Sequence, residues 1–349
     1  GALLAKSISS SSTASAVNEV KSEDVREGRR LSPSCLPVSY DLYFEPDLVK
    51  GEFEGKETVF LELSAPTRTI SLNALDMSVY EASIASTADP SDSKNKSSKG
   101  HGEFVKGEIS KDEKRQLVTL TFKDTLKPGR YELALKFNAK LGERLAGFYL
   151  STFKSKKDGG KEHKIATTQM EPTDARRMFP CFDEPGMKAT FKISVGIPTN
   201  MVAISNAAVE FEKTDQRRNL KIVNFRQTPR MSTYLVALCV GEFKSGKEEI
   251  VNGKKIRVWA VDGKEHLTDY ALKTAVKLLP YYEKYFGVDY PFEKLDLIAI
   301  PDFAAGAMEN AGAIVYRESL MLMDEKSPVT VKRSYAMVHA HEMAHQWFG

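Results

Sequence analysis

The chain has 349 residues, 42% hydrophobic and 28% charged, which suits two domains with apolar cores. Its 50 Lys and Arg against 47 Asp and Glu leave a net charge of +3, with none of the basic excess of a nucleic-acid binder or a membrane-surface protein. No run reaches the apolar length that crosses a bilayer. Cys35, Cys181 and Cys239 lack zinc-ribbon spacing and the even count of a disulfide framework, so they read as small buried side chains.

Residues 1–31 are rich in Ser, Ala and charge without periodicity and read as a flexible leader. Gly1 in place of Met suggests that an N-terminal piece is missing. The short apolar start GALLA and the small-x-small Ala14-Ser15-Ala16 tilt the reading toward an exported protein (periplasmic, secreted or cell-surface) over a cytoplasmic one, although Lys6 and a serine run interrupt the apolar core.

From Val38 the pattern turns to alternation. VSYDLYFEP, ETVFLEL, RTISLNAL, QLVTLTF and RYELALKF carry apolar residues two apart and predict half-buried antiparallel strands. Two polar loop tips, Ala88 to Glu103 and Ser155 to Lys164, punctuate them. Asn95-Lys96-Ser97 in the first is a glycosylation sequon. ATFKISVGIP, MVAISNA, KIVNFRQ and STYLVALCVGEF continue the series, so residues 32–245 read as an all-β sandwich.

Residues 246–349 read as the start of an α+β domain. After the strands EEIVNG and KKIRVWAV, TDYALKTAVKLLPYYEKYF has helical spacing with Pro280 as an expected kink. KLDLIAIP is a short buried strand and AIVYRESLMLM an expected edge strand. Ser327 as N-cap and Pro328 at the first helical position open a final helix that should run unbroken through HAHEMAH.

That helix carries H-E-x-x-H. Residues four apart lie about 40° apart around the axis, so His341 and His345 project from one face and can converge on one metal ion. In such a site Glu342 does not bind the metal. It faces the metal's water, whose pKa zinc lowers, and takes the proton as hydroxide attacks a carbonyl. His339, two residues from His341, points to nearly the opposite face and reads as a packing or surface histidine.

Two further stretches join the zinc helix: GAMEN, Gly306 to Asn310, and QMEPTDARRMFPCFDEP, Gln169 to Pro185. With these three motifs in this order, the chain from Val38 onward resembles the gluzincin zinc aminopeptidases, the family of aminopeptidase N and the puromycin-sensitive enzymes. The resemblance implies a saddle-like β-sandwich followed by a thermolysin-like catalytic domain. It also implies peptide substrates with a free N-terminus and one zinc ion held by His341 and His345. Glu309 and Glu171 would neutralise the substrate's α-ammonium, and Gln169 would line the first side-chain pocket. The backbone of Gly306 and Ala307 would pair with the substrate main chain, and Met308 and Asn310 complete the substrate-binding motif. Asp174, Arg176, Arg177, Asp183 and Glu184 are expected to fasten the β domain to the catalytic one.

The family's third zinc ligand is a glutamate after eighteen intervening residues, at 345 + 19 = 364, and its oxyanion tyrosine lies further on. The chain therefore reads as a fragment, by itself inactive, cut just after the first metal-binding helix. Two other readings stand beside the aminopeptidase. A zinc endopeptidase would have no use for paired amine anchors, and a non-catalytic β-sandwich module need not keep these residues. Side-chain preference and oligomeric state are not written in the sequence.

Overall fold

Alternation becomes sheet wherever the two faces of a strand meet different surroundings. In the computed structural model, which describes residues 30–87 and 102–349, most of the first domain's strands join two sheets. The larger, of eight strands, has Cys35–Asp47 and Glu52–Leu63 near its centre. A second, of four strands, orders Val202–Ser205, Leu238–Gly241, Glu162–Gln169 and Gly147–Lys154. A three-stranded piece built on Leu117–Leu126 completes this part. Residues 1–29 of the leader and the Asn95 sequon lie outside the described residues; Arg30 and Leu31, at the leader's end, are held by Glu184.

Most pairings are antiparallel, as expected, but one is not: Cys35–Asp47 pairs in parallel with Thr190–Pro198. Sequence alternation cannot reveal this, because both pairing modes place side chains two apart on one face. Between the sheets lies an apolar core with an aromatic centre of Tyr40, Phe44, Phe53, Phe137, Phe148 and Phe179. The three cysteines are buried free thiols.

The second part is a five-stranded sheet ordered Phe243–Val251, Lys254–Val261, Lys294–Ile300, Ala313–Arg317, Ala307–Met308. Its three middle strands run parallel. Every residue of Lys294–Ile300 is buried, as befits a strand covered on both faces. The helix Asp269–Phe286 makes the crossover between the first two parallel strands and continues through Pro280. With the helix Val329–Ala344 it covers one face of the sheet, where Ile256, Val258, Leu295, Leu297, Tyr316, Tyr335 and Met343 form one cluster.

The other face packs on the four-stranded sheet, through Val261, Ile298, Ile300 and Val315 against Tyr149, Phe153, Ile165 and Ala237. The seam also holds a charge network. Arg257 grips Asp296 with two hydrogen bonds (2.8 and 3.0 Å), and Lys294 reaches Asp296 at 2.8 Å. Lys294 also donates to the carbonyls of Ser205 and Gly312. Burial alone would raise the Asp296 carboxyl, but Lys294 and Arg257 more than reverse this and hold its pKa below the ordinary value.

Three expectations change. AIVYRESLMLM is a strand only over Ala313–Arg317, then turns into a short helix, Glu318–Met321. It is internal to the sheet rather than at its edge, because Ala307–Met308 adds one more strand outside it. Ser327 does not cap the last helix: its hydroxyl is exchanged with Asp324, and no side chain caps that N-terminus. STYLVALCVGEF is not one strand; Thr233–Leu235 is a 3-10 turn before Leu238–Gly241.

Candidate active site

The last helix ends at the second histidine: Val329–Ala344 is helical and His345 is its C-cap residue. Glu342 is 6% exposed, while His341 is open to solvent and His345 half-buried. The two Nε2 atoms stand 3.1 Å apart. His345 Nδ1 lies 3.1 Å from the Phe348 carbonyl; a carbonyl only accepts, so Nδ1 is the donor there and Nε2 is the ring atom turned to His341.

Two nitrogens bound tetrahedrally to one zinc at ~2.05 Å would be about 3.3 Å apart. The observed pair is close to that separation, and the backbone bond on His345 is the kind that orients a metal-ligating imidazole. The spacing and orientation of the two imidazoles fit a zinc ion, for which they could supply two ligands. Among the described residues no group of three or more His, Cys, Asp or Glu is placed to hold a metal.

GAMEN follows the strand Lys294–Ile300 and supplies the terminal strand of the five-stranded sheet, Ala307–Met308. The Gly306 carbonyl accepts from the Arg317 amide, so it is spent inside the sheet. The ladder alternates, and Ala307 therefore turns its own N–H and C=O toward the open edge. Met308 and Asn310 turn their side chains inward. Met308 is 1% exposed, and Asn310 donates to the carbonyls of Leu235 and Val236.

Glu309 lies between them, half-exposed, with its backbone carbonyl held by Gln346 Nε2 at 3.0 Å. The same Gln346 amide accepts from the Gly312 N–H at 3.1 Å. One side chain on the turn after the last helix thus fixes both ends of the Glu309 turn. Gly312 is required there: its φ is +74°, and a Cβ would lie 2.3 Å from the Asn206 carbonyl.

From the first domain, the strand Glu162–Gln169 ends at the site. Gln169 is 9% exposed, its Nε2 donates to Met308 Sδ at 3.5 Å, and its Oε1 is a buried acceptor without a partner. Glu171, two residues on, is exposed at the rim. Its pKa is raised by partial desolvation and by the like charge of Glu309, while His345 works the other way. Glu342 is pushed up to about 7, first by burial and then by Glu309 and Glu171. A cation on the two histidines would draw it back toward the charged form. Glu171, Glu309, Glu342 and His345 therefore converge from both domains into one electrostatic unit.

The ion pairs of the stretch after Glu171 do not fasten the two domains together. Arg176 pairs with Asp183 and Gln116, Arg177 with Asp174 and Asp76, and Glu184 with Arg30. Asp183 also accepts from the Thr233 hydroxyl, and its backbone N–H donates to Asn73 Oδ1. Apart from Arg30, at the end of the leader, these partners lie in the β domain, so the segment braces the platform that presents Glu171. His339 is fully buried, bonded to the Tyr316 hydroxyl at 2.6 Å, and burial lowers its pKa to about 3.

Three residues at the site carried no sequence signal of a role. Gln346 sits inside the motif HEMAHQWFG, and only its contacts give it a function. Asn206 is fully buried, donates to Leu235 and Ala311 carbonyls and accepts from the Ala237 amide, all at 2.8 Å. Tyr234, on the turn stitched by Asn206 and Asn310, has its phenol pKa raised by desolvation and by both Glu309 and Glu171.

Residues 36–235 match the family model of the peptidase M1 N-terminal domain, and residues 270–349 that of the peptidase family M1 domain. The chain is 44% identical to aminopeptidase M1 of Arabidopsis thaliana over 92% of its length and 35% of the relative's. It is 40% identical to aminopeptidase M1-A of Oryza sativa subsp. japonica, over 96% of the chain and 37% of that protein. With human (Homo sapiens) endoplasmic reticulum aminopeptidase 2 it shares 39% identity over 92% of the chain and 32% of the relative. The chain thus spans about a third of the length of the curated relatives it matches.

Proposed function

The chain belongs to peptidase family M1, and from that premise we propose that it works as part of a zinc aminopeptidase that removes single residues from peptide N-termini. The observation that carries this reading is that Gln169 of the first domain bonds Met308 of the second, which brings the segments of Glu171 and Glu309 together at the zinc motif, where the two acids raise the pKa of Glu342. An endopeptidase has no need of two carboxylates at the blind end of its site. An exopeptidase does, because it must hold an α-ammonium one residue from the scissile bond, and pairing is strong in a partly desolvated cleft.

His341 and His345 would hold the zinc, with the glutamate expected near position 364 as third ligand. The ion supplies a Lewis acid that polarises the scissile carbonyl and makes the attacking water more acidic. Glu342, held in a partly dry pocket, is the general base that takes the water's proton and returns it to the departing amine. Glu171 and Glu309 seat the ammonium, and the orphaned Oε1 of Gln169 is a ready acceptor for one of its three N–H groups. The open N–H and C=O of Ala307 pair with the substrate main chain as an added strand. Gln169 and Ala305 border the pocket for the first side chain.

The test is to incubate the zinc-loaded enzyme, at the length of its relatives, with an unblocked decapeptide and follow the products by mass spectrometry. Stepwise loss of single N-terminal residues, stopped by a chelator and restored by zinc, is expected. Internal cleavage would favour the endopeptidase, and binding without cleavage the non-catalytic module.

A further inference from the structure

Carboxylates only accept hydrogen bonds, and two of them facing one site repel. The donors around Glu171 and Glu309 are already engaged. Gln169 Nε2 is on Met308, Gln346 Nε2 on the Glu309 carbonyl, Asn310 Nδ2 on Leu235 and Val236, and His345 Nδ1 on Phe348. Glu342, the remaining charged neighbour, is an acid too.

Tyr234 has no such commitment: its hydroxyl makes no hydrogen bond among the described residues. Its position is nevertheless tightly built. Thr233 donates to Asp183 at 2.8 Å and Ser232 to the Pro185 carbonyl at 2.8 Å, which ties the turn to the platform after Glu171. On the other side Asn206 and Asn310 tie it to the Glu309 turn. The ring packs against both the cluster that holds Met170 and the cluster that holds Met308, the neighbours of the two acids. The ring is thus fixed between the two segments that carry the amine anchors, with a hydroxyl left free to donate.

Resting on the aminopeptidase reading, we propose that Tyr234 is a positioning residue of the amine pocket, its hydroxyl donating to the Glu171–Glu309 carboxylates as the substrate's ammonium seats. The raised phenol pKa, caused by desolvation and then by Glu309 and Glu171, agrees with this placement. The hydroxyl keeps both acids aimed and lessens their repulsion, so it serves binding of the first residue rather than proton transfer at the scissile bond.

The experiment is a double-mutant cycle in the zinc-loaded enzyme at the length of its relatives. Tyr234→Phe, Glu171→Gln and their combination are compared on an alanyl arylamide, with alaninamide binding measured by calorimetry. A hydrogen bond to a charged group in a half-open site predicts that Tyr234→Phe raises KM and the alaninamide Kd about tenfold with kcat within about twofold. The effect should shrink to under about twofold when Glu171 is already Gln. An unchanged KM in Tyr234→Phe, or the same penalty with and without Glu171, would overturn the assignment of Tyr234 alone. A parent enzyme that cleaves the N-acetylated arylamide equally well would overturn the aminopeptidase reading with it.

Discussion

At the scale of single residues, environment rather than residue type decides the role of each glutamate. Glu342 is buried beside two other acids, which suits a general base near neutral pH. Glu342→Gln should keep the zinc and lose about 10²–10⁴ in kcat, checked by metal analysis beside steady-state kinetics. Glu57 has no such partners. Its neighbours on the strand face, Phe53, Val59 and Leu61, point into the core, and both of its carboxyl oxygens are buried without a hydrogen bond. Burial pushes its pKa well above the ordinary 4.5. The folded chain therefore holds this proton at pH values where the unfolded chain has released it, and stability is lost as pH rises from about 4.5 through the folded pKa. Glu57→Met should stabilise the protein by about 1–3 kcal/mol at pH 7, and the gain should shrink below pH ~4, where only the cost of an unpaired neutral carboxyl remains, as read by denaturant melts across pH. The inward phase of Glu57 was legible in ETVFLEL, because Val59, Leu61 and Leu63 fix which face is buried. What the strand pattern could not tell was that, among the described residues, no side chain would reach its carboxyl oxygens with a hydrogen bond.

At the scale of elements, the site is a set of turns held to rigid strands by side-chain amides. Asn206 and Gln346 each satisfy backbone groups of the turn that carries Glu309, from opposite sides. Asn206→Ala would leave the Ala311 carbonyl and the buried Ala237 amide without partners and the Leu235 carbonyl with Asn310 alone. It should cost about 2–3 kcal/mol of stability and raise KM for aminoacyl substrates while the zinc content is unchanged. A melt, a KM measurement and a metal assay together check this. The last helix and the face on which His341 and His345 stand were legible because helical spacing is local. The amide braces were not, since nothing about an asparagine after MVAIS says which carbonyls will face it. The internal place of Ala313–Arg317 was missed for the same reason: two residues of GAMEN pair outside it, and so short a strand leaves no periodicity to read.

At the scale of the molecule, an all-β domain and the five-stranded sheet with its helices share one apolar seam, and the site lies where that seam opens. The domain order was readable from the change of period near Leu267. The seam was not, because strands buried on both faces read as continuous apolar runs with no side marked for a partner. Zinc binding should reflect how many ligands are assembled. A polypeptide of residues 1–349, with two histidine ligands among its described residues, should lose zinc on dialysis, whereas the enzyme at the length of its relatives should keep about one ion per chain, as measured by atomic absorption. Stoichiometric zinc in the short polypeptide would show that the ligand set proposed here is wrong.

The central claim is that two carboxylates from two domains read a free α-ammonium. The most direct measurement is kcat/KM on a matched pair of arylamides, free and N-acetylated, for the zinc-loaded enzyme and its Glu309→Ala variant. The parent should cleave the free amine far faster, and Glu309→Ala should lose about 2–4 kcal/mol of that preference, with little change on the acetylated compound. Equal cleavage of the two compounds by the parent, or an unchanged preference in the variant, would contradict the account.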